Sequence, residues 1–151
     1  MAYSELEVPD RADHLWRYTP WHRIHPSGQV GEVPEAQGTV IELQSLDGST
    51  EPAGITLEAA TEDDIERLCI NGKEDVSTQF IRALSEGQAV VLRVARKARP
   101  SQPVLLDIEC EGDIAALHIL LDIGELAELE LITRISGDAN WAGILRQGIF
   151  G

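Results

Sequence analysis

Apolar residues recur along this chain with two spacings, and the change between them falls near Gly87. Before it, Ile65, Leu68 and Cys69 stand three and four apart, and Val76, Phe80, Ile81 and Leu84 repeat helical spacing. That is the period of a helix with one buried face. Thr61 followed by Asp64 reads as a capping box, with Glu62 and Asp63 where the helix dipole favours negative charge. Asp75 is placed to cap a second helix, and Gly87 to stop it. Two short helices are predicted, over residues 62–70 and 76–85, the first ended by Asn71 and Gly72.

After Gly87 the chain breaks into short apolar runs, over residues 88–96, 104–109, 114–121, 127–136 and 141–150. Pro100 and Pro103, then Glu111 to Asp113, Asp122 to Glu125, and Gly137 with Asp138 separate them. Runs bounded by such residues read as strands. In the fourth run Leu129 and Leu131 face one way, and Glu128, Glu130 and Ile132 the other. Residues 39–43 and 54–58 are shorter β-like runs, expected to form a small hairpin or a loose peripheral layer. With no long helix between strands, a βαβ sheet is disfavoured; a sandwich and a stacked β-solenoid remain. No strict short repeat selects the solenoid. In the solenoid reading Val90, Leu92, Leu105, Leu129 and Leu131 face inward. The final run closes on Ile149, Phe150 and Gly151, and an open apolar strand edge invites association. The expectation is a strand docked on a partner copy or, preferred, a chain that is a piece of a longer protein.

The front of the chain is polar and loop-rich, apart from an aromatic and basic cluster, His14 to Arg23. The predicted organisation is a loop-rich and helical region over residues 1–74, followed by a β-rich region over 75–151. Acidic residues number 26 against 12 basic ones, a formal net charge of −14. This excess argues against binding nucleic acid or anionic lipid. The longest apolar stretch, Ile114 to Ile123, is interrupted by His118 and Asp122 and falls short of the ~20 residues that span a bilayer. No apolar run follows a basic start, so a cytoplasmic location is expected.

Two stretches resemble the SufB/SufD family of iron–sulfur cluster assembly proteins. Trp16 to Pro20 (WRYTP) is similar to a short aromatic motif near the front of SufD-like proteins. Asp75 to Glu109 resembles the start of that family's β-helix: a short helix with Phe80 and Leu84 on one face, a stop at Gly87, then a strand pair matched by Val90 to Val94 and Pro103 to Leu106. Ile123 to Leu131 is similar to the turn that follows, and the resemblance covers about half of the chain. Ala95 to Ala98 depart from the family pattern, and residues 26–60 match none of it. The resemblance implies a mainly β fold, the start of a right-handed parallel β-helix preceded by a small mixed or helical region. It implies a non-enzymatic scaffold acting with a SufC-like ABC ATPase and a SufB/SufD-like paralogue or a second copy. An iron–sulfur cluster would be held only transiently, in the assembled complex, and none on this chain alone. The family's cysteine and histidine positions lie beyond the part that matches, so none is carried over.

The residues themselves offer few reaction centres. No GxxxxGK[ST], GxSxG or HExxH motif occurs. Cys110 precedes a turn and is the candidate cluster or sulfur ligand, although iron–sulfur ligation ordinarily takes several thiolates. A buried small-hydrophobe role is the commoner fate of a free cysteine, for Cys69 above all. His22 and His25 are three apart, but Pro20 and Pro26 bracket them and rule out a long helix. His118, mid-strand, reads as a satisfied, half-buried polar residue. Trp16, Arg17, Tyr18 and Trp21 are the partner-contact candidates, being of the types that anchor interfaces; pinning the N-terminal segment onto the β-structure is the competing role. Two other functions stay open. One is a stand-alone β-rich module binding a protein or small ligand. The other is a cupin-like metal enzyme in which His22, His25 or His118 converge.

Overall fold

The structure, a computed structural model, describes residues 3–29, 31–48, 52–69 and 75–150. The strands are β1 (Thr39–Ser45), β2 (Ile55–Ala59), β3 (Val90–Val94), β4 (Val104–Cys110), β5 (Ile114–Ile123), β6 (Leu131–Gly137) and β7 (Trp141–Phe150). They form a three-stranded sheet in the order β1-β4-β6 and a four-stranded sheet in the order β2-β3-β5-β7. In each sheet the first pair is antiparallel and the later pairs are parallel. The architecture is thus mainly β, with two mixed sheets, neither closed.

From β3 onward the chain crosses to the opposite sheet at every turn and returns one strand further along. Val104 lies opposite Leu131, and Ile114 opposite Trp141, in each case 27 positions later. The β1 and β2 runs do not form the expected hairpin. β1 pairs with β4 and β2 with β3, so each completes a different sheet. Partner strands far along the chain decided this, because an isolated two-stranded hairpin has little stability in water. The fourth predicted run also shortens: strand begins only at Leu131, opposite Val104 where β4 starts, and before it Glu128 N–H donates to the Ala98 carbonyl in the loop between β3 and β4.

The main core lies between the two sheets. Leu92 and Val94, then Val104, Leu106, Ile108 and Cys110, and then Ala115, Leu117, Ile119 and Leu121 meet there. Val90, Leu129 and Leu131 pack at its margin as expected. Leu105 does not: Val104 and Leu106 face the core, and strand alternation turns Leu105 to the outer side of the sheet. β5 is buried on both faces, which explains why its run is apolar apart from His118 and Asp122. Its other face, Ala116, His118 and Leu120, is covered by helices.

Among the described residues, three α-helices lie on that side: α1 (Trp21–Ile24), α2 (Glu62–Leu68) and α3 (Val76–Leu84). α2 starts with the predicted capping box, Asp64 N–H donating to Thr61 Oγ1 at 3.2 Å and Thr61 N–H to Asp64 Oδ2 at 3.0 Å. Its last residue, Leu68, packs on Val91 and Leu120, while the stop predicted at Asn71 and Gly72 lies outside the described residues. α3 is capped by Asp75, whose carboxylate accepts from Thr78 N–H at 3.0 Å. Among the described residues, no helix is long and apolar enough to cross a membrane.

Candidate functional site

β5 carries one polar side chain onto its helix-covered face. His118 is only 2% exposed, deeper than the half-buried position expected for it. It lies at the base of a cleft of about 400 Å³ between α2 and α3, lined by Tyr3, Ile65, Gln79, Arg82 and Ser85 among others. Nε2 of His118 is 3.1 Å from Gln147 Oε1 on β7 and 4.0 Å from Cys69 Sγ. Arg82 of α3 donates to the same Gln147 oxygen at 3.0 Å. A guanidinium only donates, so it fixes that oxygen as an acceptor and puts a hydrogen on the facing His118 nitrogen. The nitrogen beside the thiol is therefore itself a donor. The Cys69–His118 pair suits packing and hydrogen bonding rather than proton abstraction from sulfur.

Cys110 lies between the sheets, 3% exposed, and burial pushes its thiol pKa up. Cys69 lies outside the four-stranded sheet, so a sheet separates the two cysteines. The histidines fall into three settings. His14 and His22 are exposed, His118 has the environment just described, and His25 is buried among rings. His25 Nδ1 accepts from Ser27 N–H at 3.3 Å, and Nε2 is 3.1 Å from the Glu32 carbonyl. Among the described residues, no three of His, Cys, Asp and Glu are grouped to hold a metal ion.

The aromatic candidates divide between interior and surface. Trp21 is 2% exposed, its indole N–H donating to Tyr3 Oη at 3.0 Å and its ring edge-on to Phe80 at 5.3 Å. Phe80 also meets Tyr3, His25 and Trp141, while Trp141 Nε1 donates to the Ile24 carbonyl at 2.8 Å. These contacts fasten the N-terminal segment onto α3 and β7, the pinning role weighed in the sequence. Trp16 is half-buried against Trp21. Arg17 is exposed, as are Leu15 and Tyr18, at 79% and 86%.

Comparison of the chain with protein-family models, curated proteins and solved structures found no match.

Arg82 of the cleft wall, and Gln147, which it shares with His118, are residues that sequence reasoning missed. The available signal was a glutamine on the face of β7 shared with Trp141, Gly143 and Leu145, in a largely apolar strand. α2 is also anchored in a way that no local pattern announces. Arg93 on β3 donates to Asp64 at 2.7 Å and to Asp122 on β5 at 3.0 Å, and Arg67 of α2 donates to Asp122 at 2.7 Å. The Thr61 backbone N–H, then the Arg93 guanidinium, hold the Asp64 carboxyl down at about 2. Arg67, then Arg93, lower that of Asp122.

Proposed function

We propose that this chain is a scaffold segment of the SufB/SufD kind, working in iron–sulfur cluster assembly with a SufC-like ABC ATPase and a β-rich paralogue or second copy. The observation that carries the reading is the recurrence of parallel pairing at offsets of 29, 27 and 27 positions, with strands alternating between two facing sheets. That pattern supports a winding parallel β-solenoid capped at one end by antiparallel β1 and β2. The strong preference for right-handed parallel crossovers supports the right-handed form. The WRYTP segment fits the same reading, with Arg17 and Tyr18 displayed and Trp21 serving as the internal anchor.

The core is uncovered at the β6–β7 end. Ile135 is opposite Ile108, a core residue, and so continues the inward row, yet it is 57% exposed. A further β layer laid on this end would cover it. In this role the chain positions partners, and ATP hydrolysis in the ATPase supplies motion. Any cluster is transient and belongs to the complex, for which the interior Cys110 is a poor ligand.

The test is anaerobic affinity purification of the tagged protein from its source cells, with intact-mass analysis. Recovery of an ABC-type ATPase and a second β-rich protein supports the scaffold. A mass larger than these 151 residues would assign the covering layer to further chain. Recovery of neither partner overturns the reading and favours a ligand-binding module, for which the cleft at His118 is the observation in hand.

A further inference from the structure

A second concavity lies between the N-terminal segment and the start of α3, and its chemistry differs from that of the His118 cleft. Its apolar lining is Leu6, Val8, Leu15, Trp16 and Val76. Glu7, Asp10, Asp13 and Asp75 line the same groove with His14, and among the described residues no lysine or arginine does. Some carboxylates elsewhere are paired with arginines: Asp64 and Asp122 with Arg93, Asp107 with Arg134, Glu125 with Arg96, and Glu128 with Arg99. No ion pair reaches the four groove carboxylates among the described residues. Asp10 and Asp75 accept only local hydrogen bonds, from Ala12 N–H and from Ser77 and Thr78.

We propose that this groove docks a segment of another protein that carries lysine or arginine beside large apolar side chains. Apolar side chains on the floor supply burial, and the unmatched carboxylates supply complementary charge and orientation. A small neutral ligand would leave the carboxylates unused, and an acidic segment would be repelled. The inference stands apart from the scaffold reading, since it uses neither the solenoid nor the ATPase.

The chain offers its own control. A second acidic hollow, lined by Glu109, Glu111, Gly112, Gly137 and Asp138, has no large apolar side chain. The experiment is an amide and indole NMR titration of the full chain with a synthetic peptide alternating leucine and lysine, and with its leucine–glutamate counterpart. Shifts confined to residues 6–16, Asp75, Val76 and the Trp16 indole are expected for the lysine peptide, with none for the glutamate peptide. The Asp10→Asn, Asp13→Asn double variant, which keeps the acceptor to Ala12, is expected to weaken binding at least about fivefold. Leu15→Ala weakens it too, while Glu109→Gln with Glu111→Gln leaves it unchanged. Equal losses from both acidic pairs, or shifts spread over the whole acidic surface, would reduce the effect to non-specific attraction and overturn the proposal. No shifts at millimolar peptide overturn it as well. Movement of the same signals with protein concentration alone assigns the groove to a second copy of this chain instead.

Discussion

Gly137 closes β6 with φ at +113°, and a Cβ placed there would run into the backbone of Cys110 on the neighbouring strand. Gly137→Ala therefore meets two penalties, an unfavourable dihedral and a backbone collision with no flexible side chain to yield. The expected loss is more than about 2 kcal/mol in urea unfolding. A loss below about 0.5 kcal/mol would mean that the turn relaxes freely. The turn was legible, since glycine and aspartate follow an apolar run, but the close approach was not. Cys110 is 27 positions away, and only the register brings it there. His118 teaches the same lesson. Its polar character inside an apolar run announced a hydrogen-bond partner without saying which, because Gln147 and Arg82 arrive from other elements. For Trp21 the residue type was equally suited to an interface and to an interior, and Tyr3 and Phe80 settled it.

α2 is a two-turn helix, too short to persist alone, so its cap and its anchor on the sheet hold it. Thr61→Ala is expected to cost about 1 kcal/mol, read from thermal unfolding. Asp64 adds a pH signature. Its folded pKa is lowered, so its contribution is complete above the ordinary carboxylate value of 3.8 and drains away as pH falls towards about 2. Wild type is expected to melt above Asp64→Asn at pH 6, with the gap closing between those two values. A gap that stays constant down to pH 2 would show that shape rather than charge anchors the helix. The capping box was readable because its groups stand within three residues of each other. Arg93 and Asp122 were not, since their pairing depends on β3 and β5 becoming neighbours. The same non-local choice sent β1 and β2 to different sheets.

For the molecule as a whole, the exposed Ile135 makes the β6–β7 end the place where the fold falls short of covering itself. If that end accepts another layer, the isolated chain is expected to associate reversibly with concentration, and more so in salt, which screens the net charge of −14. Ile135→Glu should abolish that association in light scattering while moving the melting temperature little. A wild-type chain that stays monomeric at high concentration and high salt would remove the docking role. The offset between successive strands carries a further consequence, for the lengths of sequence change that this chain can absorb. Loss of one residue inside β5 exchanges its two faces, driving His118 into the dry space between sheets and core leucines under the helices. Excision of residues 114–140 removes a whole circuit instead and joins Asp113 to Trp141, the residue that already stands in register with Ile114. Large deletions of that one length should be better tolerated than the smallest ones.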